Sequence, residues 1–204
     1  RRQRQMCIRD RIVAGWGDAA IAAQKVGTQI ESISYTTAEG FATAVNAFIA
    51  QNFGARRLNR IRRGYWTAVG MIVAWSCLTT VMLVGFPAPL VRVFIQEEEV
   101  VRTGVSYLRI MGYSQILMCL EITSSGAFQG LGRPMPPTLA GVIGNAARIP
   151  MAILLSATVL GLDGVWWSIS ISSIAKGLVV FAWFVVVLRR CTRDGDLGTP
   201  QFVR

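Results

Sequence analysis

The chain has 204 residues, 52% of them hydrophobic and 16% charged, with a mean hydropathy of +0.45 and a net charge of +10. Soluble domains carry about 25% charged residues, and the apolar residues here fall in blocks of about 20, enough to cross ~30 Å of hydrocarbon, which argues against a soluble enzyme and against disorder. Histidine is absent, which removes a Ser-His-Asp triad, a Cys-His dyad and histidine metal ligation, and Cys7, Cys77, Cys119 and Cys191 are too scattered for a disulfide framework or a CxxC zinc site.

Residues 1–11 read RRQRQMCIRDR, which resembles the translation of a transposon-type sequencing-library adapter. Such scars are set aside before fold reasoning. Without its five arginines and one aspartate the net charge falls from +10 to +6. The expectation is a reading frame broken at its start, hence a fragment. Ile12–Trp16 reads as the last turn of a truncated helix.

Five membrane segments follow in order: Gly17–Phe53, Tyr65–Phe86, Gly104–Gly130, Pro137–Leu160 and Val165–Leu188. The first is long and rather polar. The blocks are continuous and lack strict alternation, so helices are predicted and not a barrel. Gly54, Gly64, Pro87, Pro89, Gly132, Pro134, Pro136, Gly161 and Gly164 punctuate the boundaries. Tyr65, Trp66, Trp166 and Trp167 sit at block ends, as interface aromatics do. The expected fold class is an all-α membrane protein, a polytopic bundle of about five transmembrane helices plus a truncated stub.

Charge between the blocks sets an orientation. The Gly54–Gly64 loop carries Arg56, Arg57, Arg60, Arg62 and Arg63. Arg133 lies in the next loop on that side, and Arg189, Arg190 and Arg193 lie in the tail. The opposite side balances Arg92 and Arg102 against Glu97, Glu98 and Glu99. The positive-inside rule places the arginine-rich loops and the C-terminus in the cytoplasm. Topology accounts for the arginines, so no nucleic-acid partner is expected.

Polar residues inside the segments are the candidate functional groups, because a membrane helix keeps them at a cost. In the first segment Thr28, Glu31, Ser32, Tyr35, Glu39, Thr43 and Asn46 recur at three- and four-residue steps, on one helical face. Such a face suits a water-filled cavity, and Gly40 could permit a bend. In the third segment Ser114, Met118, Glu121 and Ser125 share a face, with Glu121 inside the apolar run ILMCLEI. A carboxylate there must be paired, hydrated or protonated. A carboxylate that exchanges a proton for a cation suits an ion-coupled transporter. Arg148 and Lys176, inside the fourth and fifth segments, are its candidate partners. The alternative is a structural ion pair that locks the bundle. Tyr35 and Asn46 fit helix–helix hydrogen bonding as well as ligand contact.

Several phrases now carry a resemblance: AAQKVG, AEGF and QNFGA in residues 22–55, GAFQGLGRPMPP at 126–137, ARIP at 147–150 and GVWWSIS at 164–170. Together they resemble the multidrug and toxic-compound extrusion (MATE) family of membrane transporters. The resemblance implies twelve helices in two six-helix lobes, with both termini cytoplasmic. Residues 12–190 would be the C-terminal lobe, corresponding to the stub of helix seven and helices eight to twelve, and residues 191–204 a cytoplasmic tail. It implies efflux of organic, often cationic, drugs and toxins by antiport with Na⁺ or H⁺, alternating access between two lobes, and location in the inner (cytoplasmic) membrane. The implied partners are small organic substrates, the lipid bilayer and the missing N-terminal lobe. No cofactor is implied beyond the coupling ion.

The family commonly carries acidic residues on its seventh, eighth and tenth helices. Glu31 and Glu121 fall on the matching eighth and tenth, although the usual tenth-helix acid lies about one turn before Glu121, near Met118. The candidate ion-coupling and substrate-cavity residues are therefore Glu31, Glu121, Glu39, Tyr35, Asn46, Ser114 and Ser125, with Na⁺ conceivable near Glu31 or Glu121. The alternative function is a related flippase for lipid-linked saccharides, whose cavity should be strongly basic. No enzyme is expected: GxSxG and a paired-Asp metal motif are both missing.

Overall fold

A computed structural model describes residues 18–156 and 161–194. The adapter-like residues 1–11, the stub Ile12–Trp16 and the end of the tail lie outside that range. The described residues form helices α1 (Asp18–Gly54), α2 (Leu58–Gly85), a short α3 (Pro87–Arg92), α4 (Glu98–Gly130), α5 (Met135–Ser156) and α6 (Gly161–Asp194), with no strand among them. The five long helices match the five predicted segments. α2 and the stretch Leu162–Cys191 of α6 are long and apolar enough to cross a membrane by length and composition, with mean hydropathy 1.9 and 2.2.

Several boundaries differ from expectation, for local reasons. α2 begins seven residues before Tyr65, so Arg60, Arg62 and Arg63 stand on its first two turns and not in a loop. Arginine is a good helix former. Gly64 lies inside the helix, where the Phe48 ring fills the space a side chain would need. The α1–α2 connection is only residues 55–57. There the Arg57 N–H donates to Asn52 O at 2.9 Å and the Arg56 N–H to Phe53 O at 3.0 Å. That is the paired reverse bonding that closes helix ends, and it puts Arg56 at φ 54°, a left-handed position glycine usually takes. The same closure ends α4, with Gly132 at φ 71°.

α4 starts six residues before Gly104, with Glu98 and Glu99 in its first turn, where carboxylates meet the positive end of the helix dipole. Pro136 and Pro137 sit in the first turn of α5, where no N–H is needed, while Pro150 lies inside it. α6 runs on to Asp194, past the predicted tail boundary at 190. α1 passes through Gly40 as one helix.

α4 is the centre of the bundle and packs on α1, α2 and α6, while α5 packs on α6 and hardly touches α4. The contacts give the directions. On α1, Ala42 and Asn46 lie against Gly126 and Gly130 of α4. On α6, Ser170 bonds Ile110 O, and Gly177 lies against Leu117. Both pairs ascend together, so α1, α4 and α6 are parallel. α2 runs the other way, with Tyr65 on Ser124 and Thr80 on Gly112. So does α5 against α6.

These directions gather the ends of α1, α4 and α6 with the starts of α2 and α5. The exposed Arg56, Arg57, Arg60, Arg62, Arg63, Arg133, Arg189 and Arg190 therefore share one end of the bundle.

Glycines set the seams. A Cβ at Gly130 would lie 2.7 Å from the Asn46 carbonyl oxygen, and one at Gly126 would strike the Ala42 carbonyl. Backbones this close gain dispersion that lipid cannot supply, the usual source of helix association in membranes. Near the arginine-rich end the core holds Tyr65, Phe128 and Phe184, with ring centroids 4.4 Å apart for Tyr65–Phe184 and 5.0 Å for Phe128–Phe184. A second cluster at the other end holds Leu83, Val91, Tyr107 and Trp166. Tyr65 and Trp166, expected as interface anchors, are instead fully buried, while Trp66 is exposed. Outward faces are apolar: Met71, Leu78 and Val81 on α2, Val142 and Ile143 on α5, Leu178 and Val179 on α6. In water such faces would associate; in a bilayer they need no cover.

Candidate ion and substrate site

Glu121 lies half-buried near the middle of α4, facing α6. Its Oε1 is 3.0 Å from Lys176 Nζ, each side chain being 15% exposed. Two glycines make this pairing possible. A Cβ at Gly177, beside Lys176, would lie 2.5 Å from the Leu117 carbonyl oxygen, so glycine lets α6 approach α4. A Cβ at Gly144 would lie 3.2 Å from Lys176 Cδ, so the lysine stem crosses α5 where α5 has no side chain. One turn on, Arg148 reaches back to α6. Its Nε donates to Ser172 Oγ at 2.8 Å and its terminal nitrogen to Ser173 Oγ at 3.2 Å. One carboxylate and two cations thus lie along the seams between α4, α5 and α6.

A second site lies between α1 and the first half of α4. The Tyr107 hydroxyl donates to Glu31 Oε2 at 3.2 Å. The Tyr107 ring occupies the space beside Gly27 and stands edge-on to Trp166 at 5.3 Å. Deeper in the same seam, Gln115 Nε2 donates to Ser34 Oγ at 2.5 Å, and Ser34 Oγ lies 3.9 Å from Cys119 Sγ. Tyr107, Met111, Gln115 and Cys119 are four residues apart, one ridge of α4 laid along α1.

The remaining predicted residues are dispersed. Tyr35, Asn46 and Ser125 are half-buried, and Glu39 is exposed. Ser114 is buried, and its hydroxyl donates to Met111 O at 2.9 Å within its own helix. Thr28, Ser32 and Thr43 likewise bond carbonyls of their own helix at 2.5, 2.6 and 2.9 Å. The outward side of α1 is polar and small: Lys25, Gln29, Thr36, Glu39, Gly40, Thr43 and Ala44 are exposed, with Ile33 and Phe48 as apolar exceptions. Among the described residues no cluster of three or more His, Cys, Asp or Glu could hold a metal ion.

Sequence reasoning missed Tyr107, Ser34, Gln115, Ser172 and Ser173. The four-residue spacing along α4 was a usable signal for Tyr107 and Gln115. The serines carry none until Arg148 is placed beside them.

A bundle of parallel and antiparallel helices with apolar outer faces, one polar helix face and an interior ion pair has the features of a helical membrane protein. The family model described as MatE matches residues 8–154, and the chain belongs to that family. It is 26% identical over 156 residues to the probable multidrug resistance protein NorM of Thermotoga maritima, covering 74% of this chain and 33% of that one. It is 23% identical over 174 residues to multidrug and toxin extrusion protein 1 of Homo sapiens, covering 84% and 30%. A crystal structure of MATE in the bent conformation superposes with a TM-score of 0.86 at 18% identity, covering 95% of this chain and 43% of that one. The chain thus spans about a third of the curated relatives it matches, and the likeness to solved structures supports the fold.

Proposed function

We propose that the chain is the C-terminal lobe of a secondary transporter that exports organic, often cationic, compounds in exchange for Na⁺ or H⁺. The lobe rocks against an N-terminal lobe about a shared cavity, the usual form of alternating access. The observation that carries this reading is the outward face of α1. Lys25, Gln29, Thr36, Glu39 and Thr43 are exposed on a helix of a membrane-protein family, and polar groups do not face lipid without cost. That face belongs against a water-filled cavity or the other lobe. The relatives' names, which speak of multidrug resistance and extrusion, favour drug export over lipid-linked saccharide flipping.

Within this reading Glu31 takes the coupling cation. It lies half-buried on that same helix, and the Tyr107 hydroxyl fixes one of its oxygens. A cation bound there biases one lobe state, and substrate biases the other. The arginine-rich end of the bundle faces the cytoplasm of the inner membrane, with the C-terminus on that side. The test is ethidium efflux from vesicles by the full-length protein carrying this lobe. Glu31→Gln at equal expression is expected to abolish ion-driven efflux. Near-normal efflux by that variant would overturn the assignment.

A further inference from the structure

The charge at the arginine-rich end is uncompensated. Eight exposed arginines gather there, and none of them forms an ion pair among the described residues. α2 carries no acidic residue in its first turn, and the acids that the sequence adds beside them are Asp194 and Asp196, near the chain's end. The other end of the bundle, by contrast, sets Arg92 against Glu98 at 3.4 Å.

Two of these arginines stand over an aromatic seam. α2 meets α1 at Gly64, where the Phe48 ring fits. Trp66 is two residues on, roughly 200° around the helix, and it meets α6: its ring lies edge-on to Phe181 at 6.3 Å. Arg62 lies one turn before Trp66 on the same side of α2, and Val185 and Arg189 follow Phe181 at four-residue steps along α6. α2 and α6 run in opposite directions, so both arginines lie toward the same end, ~6 Å and ~12 Å beyond the ring pair. The two helices barely meet, and the buried Tyr65–Phe184 contact at 4.4 Å closes the seam beneath. Above it Trp66 is 46% exposed, Phe181 and Val185 are half-buried, and Arg62 and Arg189 are exposed.

A small anion would use the arginines alone, and an acidic protein segment would leave the rings without a partner. A phospholipid uses both. The guanidinium fork matches phosphate oxygens, and the long arginine stems let two heads from different levels converge on one group. An indole at the border of charged and apolar surface suits the headgroup level of a bilayer. A zwitterionic headgroup would bring its own cation into a patch of arginines; an anionic one would not. We propose that the seam between α2 and α6 binds an anionic phospholipid, with Arg62 and Arg189 on its phosphate and Trp66 and Phe181 against the upper part of its acyl chains. The proposal goes beyond export: it needs the lobe to sit in a membrane and is independent of what the lobe transports.

The experiment titrates the full-length transporter, in detergent micelles, with phosphatidylglycerol brominated along its acyl chains, and with brominated phosphatidylcholine as the control. Bromine quenches indole fluorescence on contact, and the part of the quenching lost in Trp66→Phe reports the seam. Phosphatidylglycerol is expected to half-quench at about a tenfold lower mole fraction than phosphatidylcholine, because each basic side chain near anionic lipid contributes about fivefold. The Arg62→Gln, Arg189→Gln double variant, checked as monodisperse, should abolish that preference. The Arg56→Gln, Arg57→Gln double variant removes as many charges from the α1–α2 connection and should keep most of it. Equal quenching by the two lipids in the wild type would overturn the proposal. So would equal losses in the two double variants, which would make the attraction diffuse and leave the arginines as topology determinants. Displacement of the lipid by a hexaglutamate peptide at micromolar concentration would assign the patch to an acidic protein segment instead. Native mass spectra give a reading that does not use Trp66: the wild type should retain more phosphatidylglycerol than the Arg62→Gln, Arg189→Gln variant, and equal retention would defeat the site.

Discussion

Gly177→Ala is the sharpest test of how the charged cluster is built. The added Cβ would stand 2.5 Å from the Leu117 carbonyl oxygen and 3.0 Å from its carbon. Ordinary contact begins at 3.4 Å, so α6 must retreat from α4 by roughly 0.9 Å, the difference between the two distances. A backbone carbonyl cannot swing aside as a side-chain tip can. Overpacking of this kind costs about 1–3 kcal/mol. The retreat falls one residue from Lys176, and a 3.0 Å ion pair opened by that much passes out of hydrogen-bond range. Gly70→Ala is the matched control. It makes the same chemical change in the middle of α2, where nothing lies within 4 Å. There the substitution should stabilise by about 0.5–1 kcal/mol through helix propensity. The assay is apparent thermal stability of the full-length protein, by fluorescence-detected size exclusion after heating. The two alanines should move the midpoint in opposite directions. If Gly177→Ala stabilises as Gly70→Ala does, the close approach of α4 and α6 is wrong, and the argument for the Glu121–Lys176 pair goes with it.

Two further outcomes follow from the packing. Tyr65→Phe removes the hydroxyl 2.9 Å from Ser124 Oγ in the aromatic core and leaves a buried serine without its cross-helix partner. A loss of about 1–2 kcal/mol is expected, and an unchanged melting midpoint would count against that bond. For orientation, single cysteines at the exposed positions Asn59 and Gln96 occupy opposite ends of the bundle. In cells whose outer leaflet is accessible, an impermeant maleimide should label Gln96→Cys and spare Asn59→Cys until the membrane is opened. The reverse pattern would invert the proposed topology.

The long helices were legible because each buries or exposes an apolar block and ends near glycine or proline. Their exact limits were not. Arg60, Arg62 and Arg63 read as a loop, yet arginine extends a helix readily, and its long stem carries the charge beyond the apolar region. Tyr65 and Trp166 looked like interface anchors because block position was the only guide. Which side of the helix meets a neighbour is decided by seams that glycines at 126, 130 and 177 open, and sequence spacing does not say which helix fills them. For the same reason Glu121, Arg148 and Lys176 stood out singly as charges in apolar runs, while the geometry around them did not. Tyr107 was passed over for a related reason: its value lies in Gly27, eighty positions away, leaving room for its ring.

Helices α1, α4 and α6 are stitched together backbone to backbone, with no compliant side chain between them at the stitches. α5 is attached differently, resting on α6 alone for most of its contact. The described lobe is therefore a block of α1, α2, α4 and α6 with one stave leaning on it. Arg148 rides on that stave, while Glu121 and Lys176 belong to the block. A tilt of α5 changes how far the guanidinium stands from the other two charges, and it bears on Lys176 only where the lysine stem passes Gly144. The electrostatics of the lobe can then be retuned by moving its most weakly held helix, and the hydroxyls of Ser172 and Ser173 are the latch that sets how much that movement costs.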